Sequence, residues 1–209
     1  MCRIDFAPEV RGGHGRVQAG SRAPLTRPEP FATNFPRGMI MPAIAIGRPS
    51  VEPSDFRNAL GCFATGVTVV TAVGPRGELI GITINSFNSV SLDPPLVLFS
   101  LNRRAYSMRA FLSTQAFAVN ILRAGQEAIS ERFARSLEDK WSGIAHEIRD
   151  NGCPILTDAL ASFECKTRHT YHGGDHVIFV GEVTRLHHDP DGQPLLYHSG
   201  KYCTVTEDV

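Results

Sequence analysis

Between positions 81 and 104 most of the polar side chains are neutral, and they gather toward the ends of two extended runs. Thr83, Asn85, Ser86, Ser89 and Ser91 precede the Pro94-Pro95 pair; Ser100 and Asn102 come after it. A hairpin-like return at the prolines brings these hydroxyls and amides together. Such a set of neutral donors and acceptors suits a polar planar ring better than a metal ion or a strong anion. The run 96–101 is apolar except for Ser100, which predicts a strand buried on both faces.

The remaining elements follow from periodicity and turn residues. Ser54 is in place to cap a helix through Phe63 that carries Phe56, Leu60 and Phe63 on one face. Strands are expected over 67–73, 81–89, 96–101, 116–122, 165–170, 176–186 and 202–206, and helices over 107–112 and 125–134. Gly74-Pro75-Arg76-Gly77 reads as a turn. Most connections are too short for parallel crossovers. The expected fold is therefore mainly β, an antiparallel barrel with peripheral helices, rather than a doubly wound sheet. No Gly-x-Gly-x-x-Gly turn stands at a strand-to-helix junction, so a nicotinamide cofactor would not be held by a Rossmann unit.

The 209 residues are enough for one domain with a sizeable core. Twenty-one basic residues balance 21 acidic ones, and without a basic block in the folded part a nucleic-acid partner is not expected. No apolar run nears the ~20 residues of a membrane span, and the amino terminus lacks the order of a secretion signal. The expectation is a cytoplasmic protein with no membrane partner. Five cysteines without a C-x-x-C pair argue against a disulfide framework or a structural zinc. Residues 1–50, rich in Arg, Gly and Pro, read as a disordered or mis-called N-terminal extension, with Met39 or Met41 as alternative starts and a transit peptide as a weaker reading. The folded domain is placed at 51–209.

Five motifs arrive in one order from Phe56 to Tyr202. They are Phe56-Arg57-Asn58-Ala59-Leu60 with Phe63-Ala64-Thr65-Gly66-Val67-Thr68-Val69-Val70-Thr71, then Thr83-Ile84-Asn85-Ser86 with Ser89-Val90-Ser91-Leu92-Asp93-Pro94-Pro95 and Leu101-Asn102-Arg103, then Phe117-Ala118-Val119-Asn120-Ile121-Leu122, then Gly174-Asp175-His176, then Leu196-Tyr197-His198-Ser199-Gly200-Lys201-Tyr202. In this order the chain resembles the flavin reductase family, the small reductase components of two-component flavin-dependent monooxygenases. The resemblance implies an FMN-binding split β-barrel of Greek-key type, a homodimer, FMN or FAD with NADH or NADPH, and a partner monooxygenase that takes the reduced flavin. It also implies that Thr83, Ile84, Asn85, Ser86 and Ser89 meet the flavin ring and ribityl chain. Ser100, Leu101, Asn102, Arg103 and Ser107 would reach ribityl and phosphate, guanidinium being a natural phosphate donor. His176 is implied at the nicotinamide side. His198, Ser199, Gly200, Lys201 and Tyr202 complete the cofactor-binding set, with Phe133 as a cap on the flavin.

Each of these residues has a plainer reading, as a turn former or as core. One position departs from the family, where a Ser is common near Ala105. His169, His172 and His176 also stand at spacings that a metal would need on a helix, but Gly173-Gly174 breaks any helix there, and no metal is expected. Two other activities compete with a reductase. A flavin-binding electron carrier would hold FMN tightly and have no use for a nicotinamide side, and a pyridoxine-phosphate oxidase relative would want a denser basic cluster.

Overall fold

In the computed structural model the described residues are 51–136 and 139–206, so the expectations for the N-terminal extension lie outside them. A helix α1 (Pro53–Gly61) opens the chain, followed by strands β1 (Thr65–Gly66), β2 (Thr68–Val73), β3 (Leu79–Ile84), β4 (Asn88–Leu92) and β5 (Pro95–Asn102). Helix α2 (Met108–Ser113), strand β6 (Ala116–Ile121) and helix α3 (Glu127–Ala134) come next. The chain continues through β7 (His146–Ile148), β8 (Pro154–Leu156), the long pair β9 (Ala161–Gly173) and β10 (His176–His188), and the short pair β11 (Leu196–His198) and β12 (Lys201–Cys203).

Seven strands form one antiparallel sheet in the order β3-β2-β6-β9-β10-β5-β4. Its edge strands β3 and β4 are joined only by residues 85–87. Four Cα steps span at most ~14 Å, whereas seven flat strands would set the edges ~29 Å apart. The sheet must therefore curl until its edges meet, and it is a barrel. At the seam the Ser86 hydroxyl donates to the Ser100 carbonyl (2.9 Å) and accepts from the Ser100 N–H (3.0 Å). One side chain thus stands in for a ladder partner.

The barrel is filled by aromatic and branched residues from alternate positions. Val97, Phe99 and Leu101 of β5 point inward, and Phe99 stacks on Phe179 at 4.9 Å with Phe111 and Phe117 edge-on. Gly181 is required on β10, because a Cβ there would lie 2.3 Å from the Phe117 ring. A second core outside the barrel gathers Val67, Val69, Leu122, Phe133, Leu156 and Leu195, with Trp141 packed against it.

Several expectations need correcting. The run 81–89 is not one strand: it breaks at Asn85, where the chain crosses the seam. β5 is buried on one face and half-buried on the other, because its second face looks out of the barrel. Glu52, not Ser54, occupies the N-cap position of α1 and makes no side-chain capping bond, and Pro53 stands in the first turn. The helix ends at Gly61 rather than running through Phe63, and none of its residues is buried against the rest of the described chain, so Phe56 and Leu60 remain exposed, as does Phe63 beyond its end. The final strand is the hairpin β11–β12, paired with β1 in a separate three-stranded sheet, rather than a single run over 202–206. β7 and β8 were not foreseen.

Candidate functional site

β5 and β10 run antiparallel with His176 directly opposite Asn102. The turn that leaves β5 and the turn that enters β10 are therefore neighbours, 74 positions apart in the chain. Asn102 builds the first turn. Its side-chain oxygen accepts the N–H of Arg104 (2.9 Å) and its carbonyl accepts that of Ala105 (2.9 Å). This is what a short amide side chain does well. The Arg103 N–H reaches across to the carbonyl of Asp175 (2.9 Å), and its guanidinium meets the Nδ1 of His172. Gly174, with φ +69°, lets the second turn form.

Between the two turns lies an open cleft of ≈ 500 Å³ lined by Asn102, Arg103, Arg104, Gly174 and Asp175. Asp175 accepts from His176 Nδ1 at 2.8 Å. That bond, the charge of His176 and, more weakly, Arg104 hold the Asp175 carboxyl below the ordinary carboxylate range. Past Ala105 the chain enters α2 at Ser107, which is buried and whose hydroxyl has no partner among the described residues. The Arg103 and Arg104 guanidinium groups in this cleft fit an anion with acceptor oxygens, and the buried Ser107 hydroxyl lies just beyond the cleft-lining residues. Ala105 is half-buried against the barrel core and offers no hydroxyl.

A second group of predicted residues meets at Ser130 of α3. Thr83 donates its hydroxyl to the Ser130 carbonyl (2.7 Å), and the Tyr202 hydroxyl donates to the Ser130 Oγ (2.8 Å). Tyr202 also packs edge-on against Tyr197. Ser130 had not been singled out. Its signal was available: a serine three residues before Phe133, on the inner face of an amphipathic helix, needs hydrogen-bond partners from what it packs on.

The other predicted residues divide. Asn85 and Ser89 are exposed at the seam and its far side; Ile84 pairs with Thr68, whose hydroxyl bonds its carbonyl. Leu101 points into the core, so only its backbone faces the site. Ser100 serves the seam through its backbone. Phe133 must be removed from the cofactor set. Its ring is fully buried against Gly81, where a Cβ would come within 2.4 Å, and edge-on to Trp141. It has no face left for a flavin. With Ser199 at φ 48° and Gly200 at φ 79°, both turn residues are left-handed, and His198 pairs with Lys201 across a two-residue hairpin. Glycine is there for the turn. Ser199 ties that turn to the Gly61 carbonyl at the end of α1. Trp141, unassigned in the sequence, donates its indole N–H to the Leu79 carbonyl, and Lys140 donates to the carbonyls of Gly81 and Phe133. Burial pushes the Lys140 ammonium pKa down.

The family model described as "Flavin reductase like domain" matches residues 60–206. The chain is 47% identical over 148 residues to the FMN reductase (NADH) SmoA of Agrobacterium fabrum, an alignment covering 71% of this chain and 83% of that protein. It is 35% identical over 164 residues to the flavin-dependent monooxygenase reductase subunit HsaB of Rhodococcus jostii, covering 78% and 84%. Among solved structures, the NADH:FAD oxidoreductase SgcE6 of Streptomyces globisporus, in complex with NAD and FAD fragments, matches with a TM-score of 0.71. The identity is 38%, over 76% of this chain and 97% of that one. The chain belongs to the flavin reductase family, and its barrel is the family's split β-barrel.

Proposed function

We propose that this protein is an NAD(P)H-dependent flavin reductase that passes reduced FMN or FAD to a partner monooxygenase. The observation that carries the reading is the register of β5 on β10, which sets the Asn102–Arg103 turn beside His176. Bound flavin supplies the redox chemistry, accepting a hydride from the nicotinamide. The chain's own task is to bind and orient. Arg103 and Arg104 offer guanidinium donors to phosphate, Ser107 offers a hydroxyl already stripped of water, and Asn102 keeps the turn in shape. His176, fixed by Asp175 at one ring nitrogen, presents the other to the carboxamide of a nicotinamide. Support comes from relatives named as NADH-dependent reductases and from one named as a monooxygenase subunit.

The active form is a homodimer. Phe56 and Leu60 on α1 are 57% and 58% exposed and Phe63, just past the helix end, is 74% exposed; together they form an apolar patch that a second copy would cover. The protein works in the cytoplasm, where reduced nicotinamide is available. No helix among the described residues is long and apolar enough to cross a membrane.

Steady-state oxidation of NADH and NADPH, with and without added FMN or FAD, tests the activity. Turnover that requires added flavin supports the reading. A yellow protein that retains its flavin yet oxidises neither nucleotide overturns it in favour of an electron carrier. Sedimentation of the purified protein tests the dimer, which a monomer at micromolar concentration would contradict.

A further inference from the structure

Arg103 lies in the cleft that would receive a flavin phosphate, and both of its ends are tied to the hairpin opposite. Its backbone N–H is bound by the Asp175 carbonyl. Its guanidinium is bound by His172, which sits on β9 opposite Val177 of β10. Arginine has donors only, so in this contact Nδ1 of His172 serves as the acceptor. The bond uses one of five guanidinium donors and leaves a fork free for an oxyanion.

Arg103 and His172 are both exposed. An unrestrained arginine on a surface loses much of its rotamer freedom when it takes up an anion, and surface ion pairs are weak for that reason. Fixing the guanidinium beforehand removes part of that cost. The backbone bond from Arg103 to Asp175 already holds the two turns together. The imidazole is therefore not needed to close the hairpin, and its contact acts on the side chain alone.

We propose that His172 is a positioning residue that presets the Arg103 guanidinium toward the phosphate of the flavin, making the site selective for phosphorylated flavins over riboflavin. The inference rests on the reductase reading and on Arg103 as its phosphate donor.

The test is equilibrium binding of FMN and of riboflavin, followed by flavin fluorescence, to the wild type, His172→Ala and His172→Asn. Asparagine places an acceptor oxygen close to where Nδ1 stands. The wild type is expected to prefer FMN. His172→Ala weakens FMN on the order of tenfold, as loss of an oriented charge-assisted contact would, and leaves riboflavin unchanged; His172→Asn recovers most of the loss. In the ligand-free protein the 15N shift of His172 Nδ1 reports an unprotonated acceptor and moves on Arg103→Ala. An equal loss for FMN and riboflavin, no loss at all, or no recovery with asparagine overturns the role of His172. A wild type that binds both flavins equally removes Arg103 as the phosphate donor, and the inference with it. A folded wild type that binds neither flavin refutes the reductase reading itself.

Discussion

Replacing Ser86 by alanine removes one oxygen and opens the barrel seam. The hydroxyl makes two bonds to the same residue, donating to the Ser100 carbonyl at 2.9 Å and accepting its N–H at 3.0 Å. Each such bond contributes about 0.5–1.5 kcal/mol net, and a stranded backbone group costs more the drier its site. Ser86 and Ser100 are half-buried, so water recovers part of the loss. The expected destabilisation is about 2 kcal/mol, which for a domain of this size lowers the melting temperature by about 4–8 °C. Ser100→Ala is the control. Ser100 joins the seam through its backbone, so that substitution should stay within about 0.5 kcal/mol of wild type. Thermal and urea unfolding followed by circular dichroism measure both. Equal melting of wild type and Ser86→Ala, or an equal loss with Ser100→Ala, would refute the idea that this hydroxyl closes the barrel.

Three further outcomes follow from contacts elsewhere. Gly81→Ala puts a methyl 2.4 Å from Phe133 and 3.2 Å from Trp141, and overpacking of this kind should cost about 1–3 kcal/mol in urea unfolding. Burial pushes the Cys153 and Cys165 thiols up to about 11 and about 12, so native alkylation at mildly alkaline pH should spare both while exposed Cys62 reacts, as peptide mass spectrometry would show. Asp175 is held below the ordinary carboxylate range by His176, so the stabilising effect of that contact is complete above that range and is lost as pH falls through the depressed value. Carboxyl NMR titration should show Asp175 returning toward its ordinary value in His176→Ala.

What the sequence revealed was local. The Gly74–Gly77 turn forms, closed by the Gly77 N–H on the Gly74 carbonyl, and the Pro94-Pro95 pair separates two strands that do return on each other. The motif order pointed to the correct family because those residues mark turns, and turn chemistry is written in adjacent residues. Choices of distant partner were not visible. Nothing next to Ser86 says that its hydroxyl will replace a strand, and nothing near Thr83 or Tyr202 names Ser130 as their common partner. Phe133 illustrates the same limit. An aromatic on an amphipathic helix serves equally as core or as lid, and only the missing Cβ of Gly81 on another strand decides for core. α1 failed differently: its apolar spacing is real, but no described part of the chain covers it.

The central claim is that the chain catalyses reduction of flavin by a nicotinamide oriented at His176. Its most direct test is anaerobic mixing of NADH with FMN and catalytic amounts of protein, following loss of oxidised-flavin absorbance for the wild type and for His176→Ala. The account predicts rapid bleaching by the wild type and a slower rate with a raised KM for NADH in the variant. Bleaching no faster than without protein would contradict the reductase, and identical kinetics in the two proteins would contradict the placement of the nicotinamide.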